Sequence, residues 1–180
     1  MELSNNLTLV ISIGTIATQI AIGAILVSIF LTRNGNKNSV IKFFGSKAIF
    51  FAFLVALIGT LGSLAYSDIV GFEPCLLCWY QRTMMYPMVV ILAYALWKKS
   101  EAIAFVTIPL SVIGAGIAGI QYFGQMTGST LTSCAGIGYS ASCSIRYFLS
   151  FGYITIPMMA LTGFLMIIAL MLALMQYNKK

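Results

Sequence analysis

Histidine is absent from the 180 residues, and charge is scarce: Asp, Glu, Lys and Arg together make up only 8% of the chain. A water-soluble domain of this size needs a charged surface about three times richer. Scarcity of charge therefore excludes an ordinary soluble globular protein, and the small size argues for one domain, with no separate water-soluble core apparent. The net charge of +6 is equally uninformative about nucleic acid. The basic residues form no stripe on a soluble face but fall in short stretches between apolar runs, as membrane flanks do. No nucleic-acid partner is expected. The first apolar run has no basic segment before it (only Glu2 precedes it), is too long for a leader, and is followed by no small-residue cleavage site. It is read as a retained helix.

What the chain has in abundance is apolar sequence: 60% of its residues are hydrophobic and the mean hydropathy is +0.98. Five segments approach the roughly 20 apolar residues that a spanning helix needs, at positions 7–31, 48–66, 79–97, 102–122 and 153–177. The expected fold class is an all-α membrane protein, 1–180 as one membrane domain. In it an extra N-terminal transmembrane helix (7–31) precedes a four-helix bundle core (48–177). Basic residues fix the orientation. Arg33, Lys37, Lys42, Lys47, Lys98, Lys99, Lys179 and Lys180 fall on one side of such a five-span chain, Arg82 and Arg146 on the other. The positive-inside rule then places the N-terminus outside and the C-terminus in the cytoplasm.

Under that topology all four cysteines, Cys75, Cys78, Cys134 and Cys143, are extracytoplasmic, two in each outer loop. Disulfides persist outside the cytoplasm and are rare within it. Cys75-Leu76-Leu77-Cys78 opens the third helix, with Pro74 suited to its first turn. Cysteines three apart share a helix face, and Cys78 near the positive end of the helix dipole favours the thiolate, the form that attacks disulfides. Arg82 follows one turn deeper on the same face, where a guanidinium would stabilise a thiolate or a partly anionic acceptor. The second pair sits in a loop from about residue 123 to 152. Gly124, Gly128, Gly136 and Gly138, with Ser129, Ser133, Ser140 and Ser142, give that loop expected mobility.

Three plainer readings compete. Two structural disulfides would brace the outer loops. A four-thiolate zinc site fits the cysteine count but not the eight-residue spacing of the second pair, and no histidine is present to help; no metal is expected. Arg82, with Trp79 and Tyr80, also fits an interfacial belt. Gly114, Gly116 and Gly119 on the fourth helix, and Gly59, Gly62 and Ser63 on the second, read as close-packing positions. Pro87, Pro109 and Pro157 are expected to bend their helices.

Two separated stretches resemble one family. Glu73-Pro74-Cys75-Leu76-Leu77-Cys78-Trp79-Tyr80-Gln81-Arg82 with Met85-Tyr86-Pro87, and Cys143-Ser144 through Phe151-Gly152-Tyr153-Ile154-Thr155-Ile156-Pro157 to Phe164, are similar to segments of the DsbB/BdbC disulfide bond formation proteins, in the BdbC-type branch. The resemblance covers residues 48–177. It implies a thiol–disulfide oxidoreductase in the bacterial plasma membrane that re-oxidises a DsbA-like thioredoxin-fold thiol oxidase. Cys134 of a Cys134–Cys143 disulfide would take the mixed disulfide, Cys75 would exchange with Cys143, and Cys78 would face a membrane quinone (ubiquinone or menaquinone) held with help from Arg82. Where the family commonly has histidine at the outer end of the third core helix, this chain has Gln121, followed by Gln125. Gln121 can hydrogen-bond a quinone carbonyl but cannot take up a proton. An oxidant near roughly −120 mV is out of reach of low-potential thiols, since about 30 mV corresponds to about 1.4 kcal/mol for two electrons; a lipid-soluble acceptor meets that need. A VKOR-like quinone-coupled oxidoreductase is disfavoured because its C-x-x-C pair comes late in the core, and a non-enzymatic scaffold remains the rival from another class.

Overall fold

A computed structural model describes residues 2–31, 38–128, 142–143 and 145–179. Cys134, Arg33, Lys37, Lys180 and the 129–141 stretch of the loop expected to carry the second cysteine pair lie outside the described residues. Among the described residues six α-helices follow in order: α1 (Glu2–Leu31), α2 (Ser39–Ser46), α3 (Ala48–Leu64), α4 (Leu76–Lys98), α5 (Ala104–Thr127) and α6 (Ile156–Asn178). Four stretches among the described residues are long and apolar enough to cross a membrane: Asn5–Leu31, Ala48–Ile69, Ala104–Thr127 and Ile156–Asn178. The 23 residues of α4 give a comparable length, about 1.5 Å per residue, but its first turns carry Gln81 and Arg82, which dilute its hydropathy.

Helices α3, α4, α5 and α6 close a ring in which each packs on the next and α6 returns to α3. Helix α6 is the hub, since α1 and α2 also rest on it. The short α2 was not legible as a helix in the basic stretch between spans. It is amphipathic, buries Ile41 and Gly45, and brings Gly45 against α6, where an added Cβ would lie 2.6 Å from Tyr177 Cβ. Helix α1 is tied to the bundle by polar contacts. Gln19 Nε2 donates to Thr162 Oγ1 at 3.1 Å, and Tyr153 Oη donates to Gln19 Oε1 at 2.8 Å.

In lipid the helices gain little from hydrophobic exclusion, so close van der Waals contact and small residues drive their association. The small-residue seam of α3 is Ala48, Ala52 and Ala56, all buried, rather than the glycines expected there. On α5 the buried positions Thr107, Ser111, Gly114, Ala118, Gln121 and Gln125 recur at alternating spacings of four and three, the period of a packed seam. Gly114 makes room for the buried Phe164 ring of α6, which an added Cβ would overlap. Gly116 and Gly119 face open space, so only the first of the three glycines expected to pack does so. Pro87 and Pro109 lie inside α4 and α5, but Pro157 occupies the first turn of α6. There its missing N–H is not needed, so it starts the helix instead of bending it.

Candidate functional site

The C-x-x-C spacing coincides with the spacing of a helix N-cap. Cys75 is extended (φ −76°, ψ 170°) and caps α4, its sulfur accepting from the Cys78 backbone N–H at 3.4 Å. An N-cap side chain ordinarily accepts from the second or third helical N–H, and Cys78 is the third helical residue. Pro74 therefore lies before the cap, two positions ahead of the first helical residue, and not in the first turn as expected. This geometry brings the two sulfurs to 2.8 Å, close to the roughly 2.05 Å of a disulfide. Both are free thiols, whereas Cys143 is disulfide-bonded. Cys75 is 4% exposed. Its thiol is pushed well above the usual range, first by the hydrogen bond it shares with the Cys78 sulfur and then by burial, so it holds its proton.

A buried amide completes the pair. Gln121 Nε2 lies 3.1 Å from Cys75 Sγ and 3.3 Å from Cys78 Sγ, and it is 2% exposed. Its orientation is set by Gln81, whose Nε2 donates to Gln121 Oε1 at 2.6 Å. With that oxygen occupied, the amide N–H groups face the sulfurs. Donors aimed at sulfur, together with the N-terminal turns of α4, stabilise negative charge there.

Arg82 goes elsewhere. Its Nε donates to Ser63 Oγ at 2.9 Å and its Nη2 to the Ser63 carbonyl at 3.0 Å, while the guanidinium carbon sits 5.2 Å from the centre of the Trp79 ring. It hydrogen-bonds neither sulfur and acts on Cys78 through space. The physical reason lies in the seam of α4, whose buried positions are Gln81, Met85, Met88, Leu92 and Ala95. Arg82 is one residue off that seam and turns toward α3. The face shared with Cys78 belongs to Gln81 instead.

One turn beyond Gln121 along α5, Gln125 Nε2 donates to the carbonyls of Cys143 (3.3 Å) and Ile145 (3.0 Å). Cys143 is itself buried. Tyr147 Oη donates to the Glu73 carbonyl at 2.8 Å, and its ring stacks on Phe72 at 4.2 Å. The expected mobility of the loop thus does not extend to Cys143, which is docked beside the start of α4. The chain then turns through Phe151 (φ 51°) and Gly152 (φ 79°), where Ser150 and Ile154 exchange backbone hydrogen bonds. Two positive φ values in succession make glycine the natural second residue. This turn delivers Thr155 to the cap of α6.

A narrow cleft results, lined by Cys75, Cys78, Gln121, Gln125, Arg146 and Thr155 among others. Arg82 does not line it. Thr155 Oγ1 and Gln125 Oε1 are buried there without a hydrogen-bond partner among the described residues. Sequence reasoning passed over Gln81, Arg146 and the anchoring role of Gln125. The glutamines were findable, because Gln81 is in phase with the apolar seam of α4 and Gln125 with that of α5. Arg146 gave no such signal.

Comparison with known proteins agrees with this geometry. Residues 46–175 match the family model "Disulfide bond formation protein DsbB". A probable disulfide formation protein C 1 of Bacillus anthracis is 43% identical over 120 residues, covering 67% of this chain and 86% of the relative. The disulfide bond formation protein C of Bacillus subtilis is 40% identical over 125 residues, or 68% of this chain and 88% of the relative. A probable disulfide formation protein of Chlamydia pneumoniae is 37% identical over 139 residues, or 77% and 98%. No solved structure is a significant match. With its helical membrane architecture and its paired thiols, the chain belongs to the DsbB disulfide bond formation family and is a multi-pass membrane thiol–disulfide oxidoreductase.

Proposed function

We propose that this protein generates disulfides de novo in a bacterial plasma membrane, with its cysteines on the extracytoplasmic side. A DsbA-like thioredoxin-fold oxidase, reduced by its clients, delivers electrons to Cys134–Cys143; they pass to Cys75–Cys78 and then to a membrane quinone, ubiquinone or menaquinone. The supporting observation is the buried amide of Gln121 aimed at both sulfurs of a C-x-x-C pair that caps a membrane helix. A structural disulfide needs no such donor. The eight-to-two split of basic residues supports the orientation.

In the exchange, the thiolate of Cys143 attacks Cys75 of an oxidised Cys75–Cys78 pair. The Cys75–Cys143 bond forms, the Cys75–Cys78 bond breaks, and Cys78 leaves as a thiolate. Gln121 and the first turns of α4 stabilise that leaving charge. The residues facing the cleft fit a quinone. The Gln121 amide offers donors, and the unpartnered Thr155 hydroxyl can donate to a carbonyl or accept from a hydroxyl. Arg82, anchored on Ser63, adds positive charge nearby. A bound quinone supplies a two-electron, two-proton acceptor. Gln121 is not a proton carrier, so the two protons given up by the thiols would reach the acceptor by way of water or the Thr155 hydroxyl.

Purified protein supplied with the reduced partner is expected to reduce a soluble quinone analogue. Cys78→Ala should abolish this, and Cys134→Ser should stop re-oxidation of the partner. Unchanged turnover in either variant refutes the corresponding assignment.

A further inference from the structure

We infer that Gln125 is a positioning residue that clamps the Cys143 segment against the Cys75–Cys78 pair and so sets how readily the two pairs exchange. The inference rests on the relay reading and adds to it the device that joins the two pairs.

Gln121 and Gln125 sit four residues apart on α5, in the same buried seam, so they project from one helix face a single turn apart. Gln121 holds the sulfurs of the inner pair, and Gln125 holds the backbone on both sides of residue 144 through the carbonyls of Cys143 and Ile145. Gln125 is 7% exposed, and a buried amide is expensive to leave unpaired. These bonds therefore form wherever the segment is docked. The far side of the segment is held by Tyr147, through its hydrogen bond to Glu73 and its stacking on Phe72. Phe148 extends this contact to Tyr66 at 5.7 Å. Glu73 and Phe72 lie two and three residues before the Cys75 cap, so the same clamp that buries Cys143 registers it to the inner pair. Ser142 and Ile145, which flank Cys143, line the cleft with Cys75 and Cys78. Exchange is a reaction between groups whose effective concentration is set by how tightly they are held together. Loosening the clamp lowers it without touching a sulfur.

The test uses full-length protein carrying Cys78→Ala, in which Cys75 is the only free thiol of the inner pair. Its thiolate attacks Cys143; the Cys75–Cys143 bond forms, the Cys134–Cys143 bond breaks, and Cys134 leaves as a thiolate that takes a proton. Acid quenching and peptide mass spectrometry measure the two disulfides at equilibrium. Adding Gln125→Leu is expected to lower the ratio of Cys75–Cys143 to Cys134–Cys143 by about tenfold, from the loss of two neutral hydrogen bonds. In Gln125→Glu a protonated carboxyl can still donate one hydrogen bond whereas a carboxylate cannot. Relative to the Cys78→Ala parent at each pH, its ratio should approach the parent's near pH 5 and that of the leucine variant near pH 8. A merely structural role would show no such pH dependence. Tyr147→Phe, at an exposed side chain, keeps the stack and loses only the bond to Glu73. It should lower the ratio by about twofold to threefold, and it carries the test if the Gln125 variants fold poorly. Ratios unchanged in all three variants overturn the clamp and leave the relay standing. Absence of any Cys75–Cys143 disulfide with Gln125 intact overturns both.

Discussion

Replacing Gln121 with leucine separates what this side chain does for the fold from what it does for the chemistry. The amide makes two kinds of contact: its nitrogen lies 3.1 Å and 3.3 Å from the two sulfurs, and its oxygen accepts from Gln81 at 2.6 Å. The nitrogen faces charge that develops as Cys78 becomes a thiolate. A hydrogen bond to a charged group contributes about 1.5–3 kcal/mol, and each 1.4 kcal/mol or so is tenfold in rate, so quinone-analogue turnover should fall about 10-fold to 100-fold. The oxygen contact concerns the resting fold. Without it the buried Gln81 amide loses its acceptor, at a cost of about 1–3 kcal/mol in stability. A double-mutant cycle separates the two. Adding Gln81→Leu removes the orphaned amide and should recover stability in a detergent unfolding titration, while turnover with a soluble quinone analogue stays low. Turnover of Gln121→Leu within twofold of the parent, or a rate restored by the second substitution, would refute the assignment of Gln121 to the sulfurs.

Gln121→His introduces a group that titrates near pH 6.5 into a chain with no histidine. Its turnover relative to the parent should rise as pH falls through that range, because an imidazolium stabilises the thiolate; a flat ratio from pH 5.5 to 8 contradicts this. Arg82→Met removes both bonds to Ser63 and the contact with Trp79. It should cost about 1–2 kcal/mol of stability and raise the quinone KM, an unchanged KM showing that the arginine anchors α4 to α3 without binding the acceptor. Gly114→Ala places a methyl in the Phe164 ring and should destabilise by about 1–3 kcal/mol in the same unfolding titration. Gly116→Ala and Gly119→Ala meet nothing within 4 Å and should be neutral or slightly stabilising.

The five long helices and their order were legible because a bilayer demands long apolar runs, whereas the short α2 was hidden in a basic stretch. Helix ends were less legible. Helix α4 begins at Leu76, after the Cys75 cap and not at Pro74, because hydropathy marks an apolar run and not the residue that caps it. Arg82 was aligned with Cys78 by the four-residue rule, but the seam passes through Gln81, and packing against α3 decided the matter. The docking of Cys143 could not be read from a loop rich in glycine and serine, because its anchors, Gln125, Glu73 and Phe72, come from distant parts of the chain. Gln121 drew notice as a departure from the family's histidine. That its amide meets both sulfurs follows from the crossing of two seams, which only a structure displays.

The most direct measurement is redox trapping of the four cysteines in membranes with and without quinone. If electrons leave through Cys78 to a lipid-borne acceptor, Cys75 and Cys78 accumulate as thiols on quinone depletion and return to the disulfide when a quinone is added back. Cys75 and Cys78 that stay fully oxidised without quinone, while the partner oxidase is still being re-oxidised, would contradict the account.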